Sequence, residues 1–90
     1  MVDWALLSTH GLVLISVDEK PEATTRQLAG DLMITERSVQ RVVSDLVSAG
    51  YVKRRRIGRR NRYYVNGRKR LRHPIKQDKS VDDLLTRISR

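Results

Sequence analysis

The apolar positions change spacing along the chain, and each change marks an element. Leu12, Val13, Leu14, Ile15 and Val17 form a dense run. By itself such a run fits a buried strand as well as a short buried helix. The helix-rich pattern that follows favours a helix over about 9–18, with Thr9 as its N-cap. Glu19-Lys20-Pro21-Glu22 ends it, because proline lacks the N–H a helix needs. Thr24-Thr25-Arg26-Gln27 has the form of a capping box, Thr24 capping and Gln27 reaching back. It opens a helix to about Leu32, with Leu28, Ala29 and Leu32 on one face. Met33-Ile34-Thr35 is a three-residue break. Thr35 then caps a helix from Glu36 to about Ala49, in which Val39, Val42, Val43 and Leu46 recur at three- and four-residue spacing. Glu36 suits the positive end of the helix dipole, and Gly50 stands where a left-handed C-cap is needed.

Beyond Gly50 the period shortens. Tyr51 to Ile57 suits a strand, Gly58-Arg59-Arg60-Asn61 reads as a hairpin turn, and Arg62-Tyr63-Tyr64-Val65 as the returning strand. Tyr63 and Val65 share the inward face and Tyr64 points the other way. Asn66-Gly67 closes the hairpin. Residues 68–79 read as a basic linker in which Pro74 breaks any helix. Ser80-Val81-Asp82-Asp83 is a further capping box, opening a short helix to about Ser89 with Val81, Leu84, Leu85 and Ile88 as its apolar stripe. At the other end, Trp4 and Leu7 anchor residues 1–8. The expected fold class is mainly α with a small β-hairpin. Residues 1–66 form the main domain and 67–79 a basic linker. Residues 80–90 form a C-terminal amphipathic helix that either folds back on the domain or pairs with a second copy.

Ninety residues make one small domain, and 39% apolar residues supply a modest core. Charge changes the picture more. The formal net charge is +9, which calls for a polyanionic partner. Residues 1–52 hold four basic and seven acidic groups, whereas residues 53–72 hold eleven basic and no acidic ones. A nearly neutral body carrying one basic segment is the charge footprint expected of a nucleic-acid reader.

Other chemistry finds little support. The chain has no cysteine, which removes disulfides, thiolate metal sites and a cysteine nucleophile and fits a reducing compartment. His10 and His73 lie far apart, short of the three or four ligands a metal site needs. The adjacent acids Asp18-Glu19 and Asp82-Asp83 fall at helix ends, where capping or solvation accounts for them. No catalytic Ser/His/Asp spacing is present, and Gly58 alone is no phosphate loop. The expectation is a non-enzyme without metal or cofactor. No apolar run approaches the roughly 20 residues of a membrane helix, and no secretory leader is read.

The order helix, short helix, three-residue turn, longer helix, basic hairpin resembles a winged helix-turn-helix domain over residues 9–66. The resemblance is carried by Gln27-Leu28-Ala29 through Ile34-Thr35, by Ser38-Val39-Gln40-Arg41-Val42-Val43, Leu46 and Ala49-Gly50-Tyr51-Val52, and by Arg55 to Tyr63 as the wing. The set is similar to MarR-type bacterial and archaeal transcription regulators. It implies a double-stranded DNA partner, regulation of transcription, and a cytoplasmic, nucleoid-associated protein. MarR-type regulators dimerise through long helices at both ends of the chain. This chain departs from that pattern, with a short N-terminal segment and one C-terminal helix of about ten residues. A homodimer is still expected, since a small domain gains core by pairing and helix-turn-helix operators are often palindromic. An effector ligand is left open.

Residue roles follow from position. With its valine stripe buried, the helix 36–49 turns Arg37, Gln40, Arg41 and Ser44 outward. At 1.5 Å per residue it makes a rod of about 21 Å, able to lie in a major groove roughly 12 Å wide. Gln40 can pair bidentately with adenine, and Arg37 and Arg41 with guanine or phosphate; Arg41 can instead pair with Asp45 at i+4. Ser38 and Thr35 can donate to phosphate at the helix N-terminus, where free N–H groups attract anions. Thr25 and Arg26 can touch the backbone from the preceding helix. In the wing, Arg55, Arg56, Arg59, Arg60 and Arg62 supply charge, with Arg59 and Arg60 placed at the turn to enter a minor groove. Arg68, Lys69, Arg70 and Arg72 can add phosphate contacts from a mobile tail. Two other readings stay open: a winged-helix protein-interaction module whose basic wing meets an acidic surface, and a binder of structured RNA or non-B DNA in which the outward Tyr64 stacks on a base.

Overall fold

Four helices and one antiparallel hairpin follow each other in the order α1 (Thr9–Glu19), α2 (Thr25–Leu32), α3 (Glu36–Ser48), β1 (Val52–Ile57), β2 (Arg60–Val65) and α4 (Val81–Ser89). The computed structural model describes residues 6–72 and 77–89. Trp4, His73 and Pro74 lie outside the described residues.

The dense apolar run is a helix. In α1, Val13, Leu14, Ile15 and Val17 are all buried, the mark of a helix enclosed on most sides. It contacts α2, α3, α4 and β2. Its N-cap is Ser8 rather than Thr9: the Ser8 hydroxyl accepts from the Gly11 N–H at 3.1 Å. Serine is slightly the better cap of the two neighbours. The capping box of α2 is complete, with the Gln27 N–H donating to Thr24 Oγ1 at 3.1 Å and the Thr24 N–H donating to Gln27 Oε1 at 2.8 Å.

The break between α2 and α3 is a Schellman turn. The Ile34 N–H reaches the Ala29 carbonyl at 3.1 Å and the Met33 N–H reaches that of Gly30 at 3.4 Å. The left-handed position this requires is filled by Met33 (φ 55°, ψ 45°) and not by glycine. Ile34 then packs against the core. Thr35 caps α3 by accepting from the Ser38 N–H at 3.0 Å. Val39, Val42, Val43 and Leu46 are its buried stripe. The same turn recurs at its end. Gly50 (φ 85°) takes the left-handed position, its N–H donates to Val47, and the Tyr51 N–H donates to Leu46. Ala49 is therefore the C-cap, one residue short of the expected end.

The hairpin is tighter than expected. Its turn is Gly58-Arg59 alone; Arg60 pairs with Ile57 and Asn61 with Arg56, so both belong to the strand. Gly58 has φ 63°. A positive φ at the first central residue alone gives a primed two-residue turn, whose twist matches that of the strands. Tyr63 is buried, Val65 half-buried and Tyr64 exposed. The outer edge of β2 is tied to the α1–α2 connection, where the Tyr63 N–H donates to the Pro21 carbonyl at 2.9 Å.

Residues 67–72 are not a free tail. The Leu71 N–H donates to Lys79, the Val81 N–H to Lys69 and the Asp82 N–H to Gly67, while Arg70 and Ser80 form an antiparallel bridge. The Tyr51 hydroxyl donates to the Arg70 carbonyl at 3.1 Å. A side chain on Gly67 would meet the Asp82 carboxylate and turn it aside. The return carries α4 onto the body, where Val81 and Leu85 are fully buried in the shared core. Of the two expectations for this helix, folding back is the observed one for these residues.

Candidate nucleic-acid interface

The α3 helix presents a polar face through its own amphipathicity. Burial of the valine stripe leaves Arg37, Gln40, Arg41 and Ser44 exposed, with Ser38 half-buried near the start. Thr35 is exposed, but its hydroxyl is committed: it accepts from the Ser38 N–H and donates to Ser38 Oγ at 2.9 Å. Its first role is therefore the cap. Arg41 does not pair with Asp45. The Asp45 carboxylate instead meets His10 Nε2 on α1 at 2.8 Å. Arg37, Gln40, Arg41 and Ser44 have no side-chain partner among the described residues, so they meet solvent as an open polar face.

The preceding helix contributes at its N-terminus. Thr25 is half-buried as the first residue of α2, and Arg26 is exposed. Arg26 lines two neighbouring grooves. One also holds Ile34 and Glu36, at the corner between α2 and α3. The other runs to Arg60 beside the hairpin turn, past the Lys20–Asp31 ion pair at 3.0 Å. The fold thus brings Arg26 and Arg60, far apart in sequence, to one groove.

The hairpin sorts its cations by face, because side chains alternate along a strand. Lys53, Arg55, Arg60, Arg62, Ile57 and Tyr64 share one face, while Arg54, Arg56 and Asn61 lie on the face that carries Tyr63. Arg55 stands directly opposite Arg62, a like-charge pair that destabilises a ladder. Arg62 is drawn off by Glu22, Nη1 to Oε2 2.9 Å, and its guanidinium lies 5.6 Å from the centre of the Tyr64 ring. The Arg62 guanidinium thus has two partners within the domain. Arg56 Nε donates to the Gly58 carbonyl at 3.2 Å and braces the turn. Arg55, Arg59 and Arg60 are exposed, and no side-chain partner binds them among the described residues. Tyr64 is 41% and Ile57 53% exposed.

Two features lay outside the sequence reading. Glu22, the acid that holds Arg62, comes from a loop with no sequence link to the hairpin. The fixed path of residues 68–72 is the other: Arg68, Arg70 and Arg72 are exposed while Lys69 and Leu71 are half-buried, a pattern that a run of four cations and one leucine does not display. No protein family matches this chain, and no curated protein sequence does either.

Proposed function

We propose that the protein binds double-stranded DNA as a winged helix-turn-helix transcription regulator, with α3 in the major groove and the hairpin as the wing. The observation that carries this reading is the pairing of two features. The unpartnered face of α3 holds Arg37, Gln40, Arg41 and Ser44, and the unpartnered arginines Arg59 and Arg60 stand at the tip of an adjoining hairpin. A helix of thirteen residues, about 20 Å long, fits a major groove, and an arginine-bearing tip suits the focused potential of a narrow minor groove. Gln40 is the base reader. Arg37 and Arg41 contact guanine or phosphate, Ser44 and Ser38 support them, and Arg26 with Thr25 contacts the backbone. Binding as a homodimer is part of the proposal, as is its consequence, a palindromic site.

Selection from a random duplex library at two salt concentrations tests the whole reading. An enriched motif supports it, and a palindrome supports the dimer. The absence of any enriched motif would remove sequence-specific recognition. On the selected site, Gln40→Ala costs about 1–3 kcal/mol and relaxes preference at one base, whereas Arg59→Ala weakens every sequence alike and flattens the salt slope by about one. Equal losses on all sequences from both variants would count against a reading helix. The exposed Tyr64 beside Arg62 favours a second reading, stacking on an unpaired base; competition by single strands and RNA hairpins separates the two.

A further inference from the structure

We propose that Arg68, Arg70 and Arg72 form a fixed arginine cluster that grips the sugar–phosphate backbone of the same duplex, at the end of the interface away from the hairpin tip. The inference rests on the DNA-binding reading and adds a second anchor to it.

The chain from 67 to 72 is pinned by backbone bonds: a turn closed by the Lys69 N–H on the Asn66 carbonyl, then Leu71 N–H to Lys79 and Val81 N–H to Lys69. Its exposed side chains are Arg68, Arg70 and Arg72, while Lys69 and Leu71 are half-buried. Guanidiniums carried on one pinned segment can hold phosphates in their fork geometry. The three salt bridges among the described residues involve none of these arginines, although the Arg70 charge is felt by the Asp83 carboxylate. Arg70 keeps its side chain in place by donating to the Asp78 carbonyl at 2.8 Å. With Asn66 and Gln77, these residues line one open groove.

Position decides what the cluster touches. It follows Val65, whose partner Val52 begins β1, so it lies at the base of the hairpin. Lys69 packs over the Tyr51 ring, 5.8 Å from its centre, and beside Gly50 at the C-terminal end of α3. Strands of six residues place the base about 20 Å from the tip. With the tip in the minor groove and α3 in the major groove, the phosphate strand on the far side of the major groove is roughly 15–20 Å away. On that docking the arginine cluster lies within reach of that strand.

The test compares the Arg68→Gln/Arg72→Gln double variant with wild type on one duplex, leaving Arg70 and its brace intact. Arg87→Gln, an exposed cation on α4, controls for net charge. Thermal melts establish that each variant is folded. The expected result is a salt slope flatter by about 1.8, two contacts at about 0.9 each, with the base preference unchanged and hydroxyl-radical protection lost on one flank only. An unchanged slope in the double variant, or an equal change per charge in Arg87→Gln, would overturn the cluster's role while leaving the DNA reading in place. Failure of wild type to bind any duplex would overturn both.

Discussion

Met33 holds a left-handed backbone conformation at the corner between α2 and α3 and is 90% exposed. A side chain in that conformation costs roughly 1–2 kcal/mol, and Met33 recovers little of it by burial. Glycine at this position removes the steric cost and adds about 0.4–1 kcal/mol of unfolded-state entropy. Met33→Gly is therefore expected to stabilise the protein by about 0.5–1 kcal/mol in urea denaturation. Met33→Val, branched at Cβ, is expected to destabilise it. A lower midpoint for the glycine variant would show that the turn draws stability from the methionine side chain. Single residues also set the limits of the sequence reading. Gln40 was legible as outward-facing, because its place follows from the helical period alone. The Arg62–Glu22 ion pair was not legible, because Glu22 lies in the α1–α2 connection, which the Tyr63–Pro21 bond ties to β2.

At the level of elements, the caps decide where each helix begins and ends. The α4 helix shows this best. Ser80 and Asp83 cap each other, with the Ser80 N–H on Asp83 Oδ2 at 2.8 Å and the Asp83 N–H on Ser80 Oγ at 3.3 Å. The Ser80 backbone bond, then its hydroxyl, then the charges of Lys79 and Arg70 hold the Asp83 carboxyl below the usual range. A depressed carboxylate lends stability that is fully present above the unfolded pKa of about 3.9 and lost as pH falls through the lower folded value. Asp83→Ala is thus expected to lower the melting temperature at neutral pH, with the gap to wild type closing as pH drops below about 4. A gap that persists in acid would place the effect in helix propensity and not in the charged cap. The hairpin marks the opposite case. Its existence was readable from composition, but a four-residue turn was expected where Gly58-Arg59 suffices. Which residues of a polar run pair is decided by strand twist and cross-strand register, neither of which the polar run itself displays.

For the whole molecule, the informative contact is between α4 and the body. Leu85 is fully buried against α1 and the rest of the core. Leu85→Ala is expected to cost about 2–4 kcal/mol, as cavity-forming truncations do, and the loss is expected to be the same over a hundredfold range of protein concentration. A concentration-dependent loss would place Leu85 in a contact between copies instead. Ile88 on the same helix is exposed, so α4 is only partly used by its own domain. Among the described residues, no helix is long and apolar enough to cross a membrane.

The sequence by itself determined the four helices, the box that opens α2, the glycine that ends α3, the hairpin, and the concentration of charge in residues 53–72. These are local properties: each rests on spacing or on a cap within about four residues, and local hydrogen bonds and side-chain period are written in the chain. Tertiary structure alone decided that α4 packs on its own domain, that residues 67–72 are clamped, that Glu22 takes Arg62, and that Arg26 and Arg60 share a groove. Each of these joins groups distant in sequence. Such contacts depend on how the buried faces of α1, α3 and α4 satisfy one another, and burial of one shared core brings their flanking polar groups together without any local signal.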